Sequence, residues 1–242
     1  MSELLAGRFY LFAALRLLRL ARRTREAPEL LLGFYFALSG AAYVAWALPV
    51  LIDTGSFAWD ASVGAALIYD VSVVSFLLFI RAAFRSEDAW SGWVVSGCVV
   101  VLFAGVAKLI LDGNMEPPPP NPWFYLHVLG YTFPCAWVCW EASLCYVAAN
   151  RRLRLGLSDP AVANRYGLLA LFGGFQILAC LMDIVINVDY EGNLSGSAWM
   201  FALGSAFEIA SITLVWLAFF PPASYSRWIA SSIPATGEVS HG

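Results

Sequence analysis

Charge is what this sequence has least of. Of 242 residues only 13% are Asp, Glu, Lys or Arg, where a water-soluble domain carries about 25%. That scarcity excludes a soluble globular fold, because the 60% hydrophobic residues could not all be hidden from water in one or two domains of this length. Lysine is rarer still: Lys108 stands alone against thirteen Arg, a skew typical of high-GC bacterial genomes. The last apolar segment contains no Lys, which excludes the retinal linkage of rhodopsin-type light-driven pumps. Histidine is confined to His127 and His241, too few for a haem held by paired His or for the several-His zinc site of seven-helix hydrolases. No metal or cofactor is expected.

Other absences narrow the reading further. No cysteine lies outside an apolar run: Cys98, Cys135, Cys139, Cys145 and Cys180 behave as small hydrophobes, and no disulfide is expected. The N-terminus lacks a basic start and a small-residue cleavage site, so a cleaved signal peptide is not expected. No nucleic-acid partner is expected either. Tyr69-Asp70 matches half of the intramembrane aspartyl-protease signature, but Asp183 follows Leu181-Met182 instead of the Gly-x-Gly that the other half needs. A nucleophile at Ser205 or Ser211 would need a base at its own depth, and His127 belongs near the outer surface. No catalytic residue is assigned, and an enzyme is not the expectation.

What the chain does have is apolar length. Six runs, about 29–52, 61–81, 89–111, 122–149, 165–188 and 197–220, each reach the ~20 residues that a bilayer-spanning helix needs. They are helices 2 to 7. The links between them alternate in charge, with Arg81, Arg85, Arg151, Arg152, Arg154 and Arg165 on one set and only acids on the other. The positive-inside rule makes the first set cytoplasmic. Arg16, Arg19, Arg22, Arg23 and Arg25 before helix 2, and Arg227 after helix 7, agree. Trp59, Trp123, Tyr125 and Trp199 mark the outer interface, and Trp90, Trp93, Trp216 and Trp228 the inner one.

Residues 4–21 fit two descriptions, because Arg8, Arg16, Arg19, Arg22 and Arg23 share one side of a helix at about 100° per residue. A seventh span would have Arg8 facing protein and the other arginines snorkelling to the cytoplasm. An interfacial amphipathic helix is the alternative. The length favours the span. The expected fold is therefore all-α: a seven-helix transmembrane bundle over 1–220 in a bacterial inner membrane, N-terminus outside, with a short cytoplasmic tail at 221–242. Tyr69-Asp70-Val71 also aligns with Phe207-Glu208-Ile209, and Arg19 to Gly40 with Arg152 to Gly174. Either parallel three-helix repeats flank helix 4, or apolar helices resemble one another by chance.

Charge at bilayer depth is costly, so its placement carries information. Helix 5 puts His127, Pro134, Trp137, Glu141 and Cys145 on one arc. Helix 6 does so with Gln176, Cys180, Asp183 and Asn187, and helix 7 with Ser197, Gly204, Ser205, Glu208 and Ser211. Together with Asp70 of helix 3 these stripes predict a ligand- or proton-binding site of Asp70, His127, Glu141, Gln176, Asp183 and Glu208. Lys108 is expected in a structural ion pair near the outer end, with Asp183 or Asp112. Pro134 cannot donate to Gly130 and should kink helix 5. The plainer reading makes each acid protonated hydrogen-bond glue between helices. As a group, four acids against one Lys suit a proton, a cation or an amine.

Arg22-Arg23-Thr24-Arg25 followed by Pro28-Glu29-Leu30-Leu31-Leu32-Gly33, and Arg151-Arg152-Leu153-Arg154-Leu155-Gly156-Leu157 followed by Asp159-Pro160 and Asn164-Arg165, resemble segments of uncharacterised bacterial seven-helix inner-membrane proteins. The resemblance implies a seventh span and carries no activity. The functional expectation is a receptor-like sensor or small-ligand-binding protein, its polar pocket opening outward between helices 3, 5, 6 and 7. Its expected partners are the lipid bilayer, a small molecule and a separate cytoplasmic or membrane signalling protein, since the tail is too short for a kinase or cyclase. The alternatives are a proton-coupled secondary transporter working through Asp70 and Glu208, and a structural or lipid-binding subunit.

Overall fold

The computed structural model describes residues 2–52, 57–113, 121–189 and 194–231. Among them there is no strand. Eight helices follow in order: α1 (Ser2–Thr24), α2 (Ala27–Ile52), α3 (Phe57–Phe84), α4 (Ala89–Leu111), α5 (Pro122–Arg154), α6 (Pro160–Asp189), α7 (Leu194–Phe219) and α8 (Ala223–Ser231). Five of them, α2, α3, α4, α6 and α7, are long and apolar enough to cross a membrane. The chain is an all-α polytopic membrane protein.

Local chemistry explains where the elements begin and end. Asn121 caps α5 by accepting from the Trp123 and Phe124 amides at 2.9 and 3.2 Å, and Pro122 supplies a first residue that has no N–H to satisfy. At the other end Gly156 takes a positive φ of 70°, the left-handed conformation that closes a helix. Helices α5 and α6 reach Arg154 and Pro160, beyond the expected 149 and 165, because their last basic-end turns are polar and leave no mark on hydropathy. The tail expected at 221–242 contains α8, tied to α6 by Tyr225 Oη donating to Asn164 Oδ1 at 3.0 Å.

Helices α1, α2 and α3 pack as one group and α5, α6 and α7 as another, with α4 leaning on α3 and α5. The ring closes twice, where α3 meets α5 and where α1 meets α7. Small residues permit the close antiparallel approaches on which such packing depends. Gly40 lies on Leu11 and Gly7, Gly33 on Leu18, Gly105 on His127, and Gly173 on Cys135 and Cys139.

The two groups share a pattern of burial. Ala6, Tyr10, Ala13, Ala14 and Ala21 of α1 are buried, and so, at one constant spacing along the chain, are Pro134, Val138, Glu141, Ala142 and Ala149 of α5. Ser72 and Ser211 each donate to the carbonyl three residues earlier, Tyr69 and Glu208, at 2.6 and 2.7 Å. Each serine also receives a bond from the preceding helix, Ser39 Oγ at 3.0 Å and Gln176 Nε2 at 2.6 Å. This register matches Glu208 with Tyr69, one residue away from the Asp70 equivalence read in the sequence.

Helix α1 belongs to the bundle: it runs antiparallel to α2 and sends Tyr10, only 1% exposed, toward its centre. Arg8 is exposed and does not face protein as expected. Only about six residues, roughly 9 Å of helix, separate it from the end of α1, within reach of an interface. Arg16 stacks instead on Phe12 and Trp216, 5.8 and 5.5 Å from their ring centres.

Candidate functional site

The half of the bundle nearest the arginines is closed. Phe36, Phe76, Phe79 and Phe172 are all at most 2% exposed, and Phe172 meets Phe76 edge-on with ring centres 5.7 Å apart. Lipid tails are as apolar as these rings, so dense packing, rather than escape from water, holds this layer together.

The far half is different. Asp70 of α3, fully buried, lies with its Oδ1 2.9 Å from Nε2 of His127 on α5. Residue 105 must be glycine for this meeting: a Cβ there would sit 3.0 Å from the His127 Cα, so α4 can press α5 toward α3. The other carboxylate oxygen of Asp70, Oδ2, is buried and has no hydrogen-bond partner among the described residues. Such an oxygen costs about 1–3 kcal/mol.

Around this pair the described residues form a continuous run of rings. His127 meets Tyr131 edge-on at 5.6 Å between ring centres, and Tyr131 meets Tyr69 at 5.9 Å. Tyr69 lies 5.6 Å from Trp46 and 6.5 Å from Tyr43. Tyr43 stacks on Tyr10 at 5.3 Å and donates its hydroxyl to Glu208 of α7. Gln176 of α6 joins from below, donating to Tyr10 Oη at 3.3 Å and to Ser211. Tyr43, Trp46, Tyr69, Tyr131, His127 and Glu208 all keep part of their surface accessible, although each meets another of the group inside the bundle. They lie beyond the closed phenylalanine layer, in the half of the bundle away from the arginines.

The structure therefore brings Asp70, His127, Gln176 and Glu208 into one connected group. Asp183 lies on α6, but its side chain falls outside the described residues. Glu141 stands apart, fourteen residues beyond His127 on α5 and so roughly 21 Å along the axis. Its Oε1 accepts from Arg85 Nε at 2.8 Å and Trp137 Nε1 at 3.1 Å. Arg85 also reaches Asp88 at 3.2 Å and lies 5.7 Å from the centre of the Trp90 ring. The hydrogen bonds that Arg85 donates to Glu141 and Asp88 hold the pKa of its guanidinium above the ordinary value. This cluster joins the basic ends of α3, α4 and α5. Lys108 pairs with Asp112, one turn away on the same helix end.

The sequence reading passed over α2. Tyr43 and Trp46 sit one turn apart in the middle of an apolar run, away from either interface, where an aromatic belt does not explain them. That displacement was the available signal. No family model, no curated protein and no solved structure matches this chain.

Proposed function

We propose that the chain is a seven-span receptor-like sensor or small-ligand-binding protein of a bacterial inner membrane, with its pocket opening outward. The observation that carries the reading is the asymmetry between halves: a sealed phenylalanine layer toward the arginines, and above it partly accessible rings around a buried carboxylate with an unused oxygen. A buried acid is retained in a membrane where it binds something or bridges helices, and Asp70 has an acceptor to spare after its bridge to His127. The seven-span count is supported by the packing of α1 within the bundle, antiparallel to α2 and beside α7. With the basic links cytoplasmic, the N-terminus is outside, and the partly accessible rings lie in the half of the bundle away from the cytoplasm. A reporter fused at residue 1 and active only outside the cytoplasm tests this; cytoplasmic activity there would restore the six-span alternative.

A second reading, a proton-coupled secondary transporter, is favoured by the shared burial and serine pattern of the two three-helix groups, because parallel repeats around a midplane site suit alternating access. Reconstitution with a pH-sensitive dye separates the two. Substrate-dependent proton flux abolished by Glu208→Gln would establish transport, and ligand-dependent stabilisation without flux would establish the sensor.

A further inference from the structure

We propose that the Asp70 site takes a small organic ammonium ion that carries at least one N–H, held between the Asp70 carboxylate and the rings of Trp46, Tyr69 and Tyr131. The inference rests on the ligand-binding reading above and specifies the chemistry of the same site.

Three observations converge on this class. First, Oδ1 of Asp70 lies 2.9 Å from His127 Nε2, while Oδ2 is buried with no hydrogen-bond partner among the described residues. An ammonium N–H supplies both the donor and the countercharge, whereas an ether, a carboxylate or a second acceptor supplies neither. Secondly, the neighbouring side chains are aromatic, Trp46 and Tyr131 each in contact with Tyr69 at 5.6 and 5.9 Å between ring centres, and aromatic faces attract a cation through their ring quadrupoles. Thirdly, a hard divalent cation such as calcium or magnesium needs about six or more oxygen ligands from protein and water, and a zinc ion three or four His, Cys, Asp or Glu side chains. Among the described residues no three His, Cys, Asp or Glu side chains lie together to begin such a shell.

Glu208, bonded to Tyr43 at the far side of the ring run, adds a second acid to the same group. An anionic ligand would face both carboxyls. Ring surface and acid together favour an amine over an inorganic cation, and the unpartnered Oδ2 favours a primary or secondary amine over a quaternary one.

The test uses the full-length protein in nanodiscs at neutral pH and four probes of one size: butylamine, butyltrimethylammonium, 1-butanol and butyrate. Butylamine is expected to raise the melting temperature and to bind at least fivefold more tightly than butyltrimethylammonium, with 1-butanol and butyrate weaker still. Asp70→Asn should weaken butylamine at least tenfold and leave 1-butanol unchanged. Trp46→Leu, which keeps the carboxylate, should weaken both cations about threefold to tenfold; it also stands as the readout where Asp70→Asn does not fold. Butylamine binding no tighter than 1-butanol, or undiminished in both variants, overturns the ammonium assignment. Tighter binding of butyltrimethylammonium, 1-butanol or butyrate overturns the assignment but leaves the ligand-binding reading standing, whereas stabilisation by none of the four counts against both.

Discussion

Asp70 and His127 lie on different helices and fifty-seven residues apart, yet their side chains meet at 2.9 Å, where α3 of the first three-helix group touches α5 of the second. The contact is both a bridge between groups and the floor of the proposed site. It should therefore be visible in stability even without ligand. Replacing His127 by Leu leaves Asp70 Oδ1, like Oδ2, without a partner, and such a loss costs about 1–3 kcal/mol. The double variant Asp70→Leu with His127→Leu removes both needs together. Unfolding in mixed micelles should show the double variant less destabilised than the sum of the single ones, with a coupling of about 1 kcal/mol or more; strict additivity would mean that the pair contributes nothing.

At the basic end, the stability that Arg85 lends to α3, α4 and α5 comes from shape as well as charge. Its Nε serves Glu141, its Nη1 serves Asp88 and its plane lies near Trp90, a fork that an ammonium cannot reproduce. Arg85→Lys should accordingly recover only part of the melting temperature lost in Arg85→Gln. Because Arg85 is a base whose pKa is held above its ordinary value by Glu141 and Asp88, its contribution is complete below that ordinary value, falls as pH rises from it toward the raised one, and is lost beyond. Melting temperatures from roughly pH 6 to 9 should show no loss traceable to this group.

Gly173 and Gly174 are neighbours with opposite expectations. A Cβ on Gly173 would stand 2.7 Å from the carbonyl oxygen of Cys135, whereas one on Gly174 meets nothing within 4 Å. Gly173→Ala must push α6 away from α5 and should destabilise by about 1–3 kcal/mol. Gly174→Ala should be neutral or slightly stabilising, since alanine favours helix over glycine. Equal melting temperatures for the two variants would show that α5 and α6 do not approach this closely.

Arg25 closes α1 with a φ of 58°, its amide bonded to the Ala21 carbonyl at 2.8 Å. A residue with a Cβ pays about 1–2 kcal/mol for that left-handed conformation, which glycine adopts freely. Arg25→Gly should raise stability by about 0.5–1 kcal/mol, and Arg25→Val should lower it, as read by thermal unfolding.

Much of this protein follows from its sequence alone, because the bilayer imposes one requirement on every span. A segment of ~20 apolar residues must be helical to satisfy its own backbone. Runs such as 89–111 therefore declared themselves, and α4 occupies Ala89–Leu111. Charge asymmetry between links was likewise readable, as was the inward stripe from Gln176 to Glu208, since costly groups must turn from lipid. Hydropathy could not show which inward-facing groups would meet. His127 and Glu141 share one arc of α5, but helix geometry separates them along the axis, and only the packing of α3 decided that His127 pairs with Asp70 while Glu141 pairs with Arg85. Tyr43 and Trp46 look like any apolar residues of α2 until α2 is set beside α3, where their rings complete the wall around Tyr69. Periodicity along one helix determines which face turns inward; the depth and identity of the partner on the next helix depend on glycine contacts such as Gly105 with His127, and those exist only once the helices are packed.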